Sequence, residues 1–454
     1  MEGTGLVRKL SFWHVWAIGV GAVVGDGIFY LVGQGVETAG PIAGFAYAFA
    51  GIIMMIAMLS MCELSVGMPS AGSIHVWSRR ILGPSYGTIA GLSYTAMNIT
   101  FLGSVSIANG IVSNYFFKWT DNAALSAVIW ALLLLTIVAG ISLAGVALTG
   151  KVQLILVGIL TTIMLGFAIS GVISGRIDPA NYIPIAPFGF AGFLAATGLG
   201  VYAYMGPLAL LTAGDEIKNI NDLPKAMFWA FITFLIIYTS CMVVMVGLVN
   251  YTEFASLESP FTFAAKQIFG RYAGLIMNFA AWLAAFTCLV GEMYCSSRLM
   301  YGMAKEGALP KNFSKVHPST RVPSFSIIIV FLIAIVLVLM GNSSAIESVY
   351  LTLCMVGCGL GVICWIITLI SASKYKSKYP KEWENLSWKL PARDIILPTA
   401  FIGCIVTFYM LFSSDPISLI WTGIGIGAIL IYYHTYAKFH MITITQEDNK
   451  DASM

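Results

Sequence analysis

The stretch that decides the fold is GVGAVVGDGIFYLVGQG, residues 19–35. Its apolar residues are typical of a membrane-spanning helix, yet its centre holds Asp26 between Gly25 and Gly27. Glycine weakens a helix, and a charged side chain inside a bilayer costs about 2.5–3.5 kcal/mol on insertion scales. This combination predicts a membrane helix that is interrupted for a functional reason.

The composition predicts that the whole chain lies in a membrane. Of its 454 residues, 58% are hydrophobic and 10% are charged, whereas about a quarter of a soluble globule is charged. The net charge of +3 comes from basic residues spread over many short loops, which argues against a nucleic-acid partner. The eight cysteines lie in apolar stretches without metal-ligand spacing, so we expect no disulfide framework, metal site or cofactor.

Apolar runs of about 20 residues predict about twelve membrane spans. Short loops with turn residues separate them. The predicted spans are residues 11–36, 41–66, 85–115, 122–143, 149–174, 189–213, 225–249, 272–303, 322–341, 346–372, 394–413 and 416–437.

The basic residues predict the orientation of these spans. If the N-terminus is cytoplasmic, the outer loops contain only four cations, Lys118, Arg176, Lys266 and Arg271. The other lysines and arginines then face the cytoplasm or lie at cytoplasmic helix ends, as the positive-inside rule requires. We therefore expect a multi-pass protein of the cell membrane with both termini cytoplasmic, namely residues 1–10 and the polar tail 439–454.

Two of the predicted spans contain residues that interrupt helices. The first has four glycines within residues 19–27, and the sixth contains GLGVYAYMGP, residues 198–207. A membrane helix breaks only where its freed backbone groups face protein or a water-filled cavity. Interruptions at matching positions of two halves predict a secondary transporter with an inverted repeat and a substrate site near the midplane. For the first span alone, Gly21-x-x-x-Gly25 is also a helix-packing motif.

Several motifs resemble those of the amino acid–polyamine–organocation superfamily, in its amino acid permease branch. GVGAVVGDGIF (19–29) is similar to the first-helix motif, and CELSVGMPSAGSIHVWSRRILGPSYGTIAG (62–91) is similar to the stretch from helix 2 into helix 3. YAYMG (202–206) with GDEIKNINDLPKA (214–226) resembles the sixth-helix signature. SSRLMYGMAKEGALP (296–310) resembles the loop after helix 8.

This resemblance implies an all-α integral membrane protein of about twelve helices with a leucine-transporter-like fold. Five helices, an inverted repeat of five with discontinuous helices 1 and 6, and two further helices are implied. In this chain the repeats would be residues 11–174 and 189–372, and helices 11 and 12 would be residues 393–438. The resemblance also implies alternating access, a small amine-bearing substrate and no enzymatic chemistry.

Three positions depart from the family's pattern. Asp26 replaces a residue that is usually serine or another small residue. Pro207 stands where an aromatic gate is common, and Leu160 stands where some proton-coupled relatives have a lysine. The substrate and the coupling ion therefore do not follow from the resemblance.

Asp26 has three interpretations, which the sequence leaves open. In the family, the glycine-rich first helix binds the carboxylate of the substrate through backbone N–H groups. A second carboxylate there would oppose it by roughly 1–4 kcal/mol at contact distance. Asp26 either binds a cationic amine, takes up a proton during transport, or points away to a structural partner.

The predicted substrate site centres on the two interrupted spans. Tyr202 and Tyr204 flank the sixth-span interruption, where an aromatic ring can cover a cation. Asn98 is a polar residue of helix 3, which lines the cavity in this fold. The full predicted set is Gly21, Gly25, Asp26, Gly27, Asn98, Tyr202, Ala203, Tyr204 and Gly206.

A second predicted set, for coupling and gating, is acidic apart from one arginine. Glu292 in helix 8 is expected either to assist coupling or to form a structural pair. Glu63 and Glu216, at the cytoplasmic ends of helices 2 and 6, are expected to make gate contacts with a nearby cation: Arg79, Arg298 or Lys218. The predicted set is Asp26, Glu292, Glu63, Glu216 and Arg298.

The sequence therefore predicts a secondary active transporter of an amino acid or organic amine, with a cationic amine or polyamine among the candidates. A P-loop for ATP is absent from the sequence, so an ion gradient, of protons or sodium, or exchange is expected to drive transport. Membrane lipid is the expected surrounding, and no enzymatic activity is expected. The alternative is a non-transporting sensor or the light subunit of a larger membrane complex.

Overall fold

A computed structural model describes residues 5–257, 259–340, 346–414 and 416–442 of the protein. Within these ranges the chain forms α-helices joined by short loops and 3₁₀ turns. The helices are α1 (Phe12–Val23), α2 (Asp26–Ala39), α3 (Ala43–Gly67), α4 (Ser73–Leu82), α5 (Pro84–Ser113), α6 (Ala123–Ala144), α7 (Val146–Ile173), α8 (Gly189–Ala203), α9 (Asp222–Leu248), α10 (Pro260–Phe269), α11 (Ala273–Lys305), α12 (Ser324–Met340), α13 (Ile346–Lys378), α14 (Pro380–Glu384), α15 (Arg393–Ser414), α16 (Pro416–Tyr432) and, after the π-helical turn Tyr433–Ala437, α17 (Lys438–His440).

Each of the twelve predicted spans coincides with one helix or with two consecutive helical segments. The first predicted span contains α1 and α2, and the sixth contains α8 and the 3₁₀ helix Pro207–Asp215. In the described part of the chain, eight helices are long and apolar enough to cross a membrane. The all-helical membrane fold is thereby confirmed, whereas the number of twelve spans stays a prediction.

Local sequence explains several helix boundaries. Asn122 begins α6, because its side-chain oxygen accepts hydrogen bonds from the backbone N–H groups of Ala124 at 3.0 Å and Leu125 at 3.1 Å. Gly145, between α6 and α7, has a φ of +127°, which favours glycine. The chain can therefore reverse between these two helices in a single residue.

The outer surface of the bundle suits lipid rather than water. Ile173 of α7, Ile405 of α15 and Ile420 of α16 are each at least 60% exposed. Large exposed apolar areas are unfavourable in water, whereas hydrocarbon chains are as apolar as the isoleucine side chain. The protein is therefore a multi-pass membrane protein.

α5 and α11 form the centre of the bundle. In the most apolar part of α5, 83% of the residues are buried, whereas the value for the peripheral helix α7 is 33%. α5 packs against α4, α6, α11 and α13. Side chains that face a central cavity are thus expected from α5 and α11, not from α7.

Helices that occupy equivalent positions in the two predicted repeats pack against one another. α2 packs on α8, α3 packs on α9, and α5 packs on α11. These pairs correspond to predicted spans 1 and 6, 2 and 7, and 3 and 8. Two repeats related by a pseudo-two-fold axis would produce these contacts. The repeat boundaries at 11–174 and 189–372 stay a prediction.

Candidate functional site

The candidate site lies where the first and sixth spans lose their helical hydrogen bonding. α1 ends at Val23 and α2 begins at Asp26, while α8 ends at Ala203 and the next helical segment begins at Pro207. The last turn of a helix has carbonyl groups without partners inside that helix. Both spans therefore contribute free backbone carbonyls at their interruptions.

The two interruptions meet in direct backbone contact. A Cβ atom added to Gly206 would lie 1.8 Å from the carbonyl oxygen of Ala22 and 3.0 Å from the nitrogen of Val23. On the other side, a Cβ atom added to Gly291 of α11 would lie 2.7 Å from the Cβ atom of Ala22. Only glycine allows main chains to approach so closely. The end of α1 is therefore enclosed between the sixth span and α11.

Side chains of α9 and α11 satisfy the freed carbonyls. The hydroxyl of Tyr238 in α9 donates to the carbonyl oxygen of Val23 at 3.0 Å, and the carbonyl oxygen of Ala203 lies at 3.3 Å. The thiol of Cys288 in α11 donates to the carbonyl oxygen of Ala22 at 3.6 Å. One tyrosine thus contacts the last residue of both α1 and α8. In an apolar surrounding each unsatisfied carbonyl would cost several kcal/mol.

A small cavity of about 20 Å³ lies between the interruptions. About 10–15 Å³ is enough for one water molecule, whereas small-molecule sites have volumes of about 300–1,000 Å³. The centre is therefore closed in this structure. The cavity must expand before it can hold an amino acid. The walls are Ala22, Val23, Gly25, Phe101, Val105, Tyr202, Ala203, Met205, Gly206, Cys288 and Glu292.

Five of the predicted site residues come together at this cavity. Four of them form walls with backbone or side-chain atoms: Gly25, Tyr202, Ala203 and Gly206. The carboxyl group of the fifth, Glu292 from α11, is buried beside them. A carboxyl group in such a wall provides a partner for a cation or a proton.

The aromatic wall of the cavity comes from two helices. The ring of Tyr202 contacts the ring of Phe101 edge to face at 5.6 Å between centroids. The hydroxyl of Tyr202 lies 3.0 Å from the sulfur of Cys354. These contacts connect the sixth span to α5 and α13. Movement of Tyr202 would therefore change its packing against both helices.

Tyr204, in contrast, does not line the central cavity. It is fully buried, and its ring packs against the rings of Phe234 at 5.5 Å and Tyr238 at 5.1 Å. Its hydroxyl has no hydrogen-bond partner among the described residues. In this closed state Tyr204 packs α8 against α9, and its contribution to substrate binding stays a prediction.

Asn98 and Gly21 also lie outside the cavity walls. The amide nitrogen of Asn98 donates to the carbonyl oxygen of Tyr94, one turn earlier in α5, at 2.5 Å. Gly21 faces α7, where a Cβ atom would lie 2.5 Å from the amide nitrogen of Gln153. Their proposed roles in substrate binding are not visible in this state.

Two further predicted residues, Asp26 and Gly27, begin α2. Beyond this backbone assignment they lie outside the described residues. The three interpretations of Asp26 therefore stay predictions.

A buried ion pair lies at the predicted cytoplasmic end of the bundle. Arg298 of α11 contacts Glu216 twice, from Nε to Oε2 at 3.0 Å and from Nη2 to Oε1 at 3.2 Å. The hydroxyl of Tyr294 donates to Oε2 of the same carboxylate at 2.8 Å, and the guanidinium lies 4.4 Å from the centre of the Tyr294 ring. All these groups are buried. Among the three predicted cations, Arg298 is the partner of Glu216.

Glu63 has a partner that the sequence did not suggest. Its Oε2 atom contacts Nε of Arg393 at 3.1 Å, and its Oε1 atom accepts from the backbone N–H of Leu390 at 2.8 Å. Arg79 pairs instead with Glu306. The prediction that Glu63 pairs with Arg79, Arg298 or Lys218 is wrong, because the end of α3 lies next to the start of α15, more than 320 residues later in sequence.

The N-terminal segment ties the first span to the end of the sixth. The backbone N–H of Leu10 donates to the carbonyl oxygen of Glu216 at 2.9 Å, and the backbone N–H of Lys218 donates to the carbonyl oxygen of Leu10 at 2.9 Å. The segment before α1, the 3₁₀ helix after the sixth-span interruption and α11 are therefore joined at one end of the bundle.

Comparisons with known proteins agree with this architecture. Residues 14–453 match the amino acid permease family. The chain belongs to the amino acid permease family. It is similar to the lysine-specific permease of Lactococcus lactis subsp. cremoris (strain MG1363), with 27% identity over 92% of this chain and 85% of the relative. It is also similar to the gamma-aminobutyric acid permease of Bacillus subtilis (strain 168), with 25% identity over 96% of this chain and 94% of the relative.

Another similar permease is named after a different class of amino acid. The branched-chain amino acid permease of Bacillus subtilis (strain 168) is 26% identical over 70% of this chain and 71% of the relative. Relatives with nearly equal sequence identity to this chain are thus named after different substrates. Membership of the permease family therefore does not determine the substrate, which depends on the residues of the site.

Tyr238 and Cys288 are not among the site residues predicted from the sequence. A tyrosine in an apolar span is a weak signal alone, but a hydroxyl or thiol must satisfy each carbonyl that a predicted interruption frees. A search of the neighbouring spans for such donors would have included both residues.

Substitution of Gly206 by alanine tests the backbone contact. Because the new Cβ atom would overlap the carbonyl group of Ala22, we expect a loss of about 1–3 kcal/mol and a lower melting temperature. Gly158→Ala in α7 is the matched control, since nothing lies within 4 Å of its added Cβ atom, and alanine there should be neutral or stabilising by up to about 1 kcal/mol. Equal melting temperatures for the two variants would contradict the contact.

Removal of the Tyr238 hydroxyl tests its role at both interruptions. Tyr238→Phe leaves the carbonyl groups of Val23 and Ala203 without this donor, so we expect destabilisation by about 1–3 kcal/mol. Tyr204→Phe is the control, because it removes a neighbouring buried hydroxyl that has no partner among the described residues. Thermal unfolding of both purified variants gives the comparison, and a larger loss in Tyr204→Phe would refute the assignment.

A double-mutant cycle tests the buried ion pair. Glu216→Gln and Arg298→Gln each leave one charge buried without its partner, so each should lose about 3–5 kcal/mol of stability. The double variant should lose much less than the sum, because neither charge remains. Additive losses in thermal unfolding would show that the two side chains do not depend on each other. Arg271→Gln, at an exposed residue, is the control and should change stability by less than about 0.5 kcal/mol.

Proposed function

We propose that this permease is a secondary active transporter that moves an amino acid or a related amine by alternating access. One observation carries the proposal: two interrupted spans meet backbone to backbone beside a small cavity with a buried carboxyl group in its wall. Membership of the amino acid permease family supports the substrate class. Transport is proposed to be the activity of the chain, without enzymatic chemistry.

Movement of the two interruptions would open the cavity. The walls contributed by residues 22–25 and 202–206 come from the ends of helices, whereas Glu292 and Cys288 belong to the continuous helix α11. Separation of the helix ends from α11 enlarges the site and exposes the carbonyl groups that Tyr238 and Cys288 now contact. A substrate amine would then take the place of these donors.

The predicted cytoplasmic end must open in the other half of the cycle. We propose that the Glu216–Arg298 pair and the backbone pairing of Leu10 hold that end closed. Opening breaks or moves both contacts, which costs free energy. Tighter binding of the substrate to the opened state, or an ion gradient, is proposed to supply that free energy.

Acidic groups at the centre favour a substrate with a positive charge. Glu292 is buried in the cavity wall, and Asp26 begins the helix that follows the first-span interruption. The names of two relatives indicate substrates with an amine on the side chain or chain end, lysine and gamma-aminobutyric acid. We propose an amine-bearing substrate, with Asp26 and Glu292 as the groups that bind its ammonium group or a coupling proton.

Uptake into proteoliposomes tests the function. Purified protein is reconstituted, and radiolabelled lysine, leucine, gamma-aminobutyric acid and cadaverine are supplied under a proton gradient, a sodium gradient or with internal solute for exchange. We expect saturable accumulation or exchange of at least one amine. If all solutes fail under all three conditions, although the protein is folded and inserted, transport is refuted; copurification of a stoichiometric second chain would then favour the light subunit of a complex.

The same assay distinguishes the interpretations of Asp26. Asp26→Asn should reduce uptake at least tenfold, which is roughly the loss expected when one charge-assisted contact is removed. Asp26→Ser should shift preference toward substrates that carry a carboxylate, since it removes the opposing charge. Asp121→Asn in an exposed loop is the control and should transport as the original chain does. An unchanged substrate profile and unchanged pH dependence in Asp26→Ser would mean that Asp26 is structural.

A further inference from the structure

A second cavity, of about 730 Å³, lies at the predicted cytoplasmic end of the bundle. The end of α3, the segment after Asp215, Arg80 of α4 and the region of α13 and α14 form its walls. It shares no wall residue with the central cavity. Its volume falls within the range of about 300–1,000 Å³ that is typical of small-molecule sites.

Cationic side chains dominate the charge of this cavity. Four basic residues, Arg8, Arg80, Lys218 and Lys381, line it together with one acidic residue, Glu382. The ion pairs formed by the described residues do not include Arg8, Lys218 or Lys381. The net charge of the whole chain is only +3, so this group concentrates positive charge far above the average. We name these four basic residues the basic cluster.

Two hydrogen-bond donors of wall residues have no partner in the described part of the chain. The hydroxyl of Tyr375 belongs to a side chain that is 1% exposed, and it has no hydrogen-bond partner among the described residues. Nε of Arg80 is also buried without a partner there, while Nη2 of the same residue lies 3.6 Å from Glu306. Buried donors without acceptors cost about 1–3 kcal/mol each. A ligand rich in acceptor oxygens would offer partners to donors of these wall residues.

We propose that this cavity binds a phosphorylated anion, separately from the transported substrate. Phosphate offers several acceptor oxygens and up to two negative charges, which match guanidinium and ammonium donors on different walls. The basic cluster would repel a cationic amine, so the transported substrate proposed above is a poor occupant. The phosphate group of a soluble metabolite and that of a lipid headgroup share this chemistry.

A phosphate group bound in this cavity would connect segments that are far apart in the sequence. Arg8 lies two residues before Leu10, which pairs with the segment that contains Lys218. Arg80 and Lys381 come from α4 and α14. A bound phosphate group would hold these elements together and favour the closed end. This consequence rests on the proposed transport function, whereas binding itself does not.

Binding is measured on the full chain in nanodiscs, without a gradient. In phosphatidylcholine nanodiscs, inorganic pyrophosphate and ATP are titrated against sodium chloride of matched ionic strength. A parallel sample contains phosphatidylglycerol, whose headgroup has a net negative phosphate, whereas the choline cation neutralises the phosphate of phosphatidylcholine. We expect pyrophosphate, ATP or phosphatidylglycerol to raise the melting temperature by at least about 2 °C, and chloride to leave it unchanged. No rise with any of the three probes overturns the proposal.

Charge reversal locates the site. Lys218→Glu with Lys381→Glu should weaken binding of the effective probe at least tenfold, the loss expected for one strong charge-assisted contact. Lys311→Glu with Lys315→Glu is the matched control, because these exposed lysines lie outside the cavity. All four side chains are exposed, so the melting temperatures without ligand should agree and show that each variant folds. An equal loss of binding in both double variants would mean general surface attraction and overturn the site.

Discussion

The contact between Gly206 and the end of α1 is the constraint on which the candidate site depends. No side chain separates the two interrupted spans there, so their backbones lie against each other inside an apolar bundle. The free carbonyl groups at that contact need donors, which Tyr238 and Cys288 supply. These donors come from α9 and α11, and so four parts of the chain are fixed around a cavity that is too small for an amino acid until they move.

Charges are arranged in two opposite ways along the bundle. At the centre, the carboxyl group of Glu292 lies in the wall of the closed cavity. At the predicted cytoplasmic end, Glu216 is held by Arg298 and Tyr294, and beyond it the basic cluster lines a much larger cavity. An amine would be attracted to the first region and repelled by the second, while a phosphorylated anion would show the reverse preference. Under the two proposals, ligands of opposite charge bind one chain at separate sites without competing.

Three helix contacts would couple the movements of the bundle: α2 packs on α8, α3 packs on α9, and α5 packs on α11. Each pair joins equivalent spans of the two proposed repeats, so a rotation of one repeat changes all three contacts together. The Glu216–Arg298 pair lies within the second proposed repeat, between the sixth span and α11. Rupture of a buried ion pair is costly, whereas its displacement as a unit is not, which favours movement of whole helices over local unfolding.

The sequence alone determined that the chain is an all-helical membrane protein, since the length of an apolar run must match the thickness of the bilayer, and its motifs determined the family. Clustered glycines and Pro207 also located the interruptions in the first and sixth spans, because these residues disfavour continuous helical hydrogen bonding. Only the tertiary structure decided that Tyr238 contacts both interruptions, that Tyr204 packs away from the cavity and that Arg393 pairs with Glu63. Membrane helices are apolar on nearly every side, so their periodicity does not reveal which face turns inward, and a contact across more than 300 residues depends on that rotation.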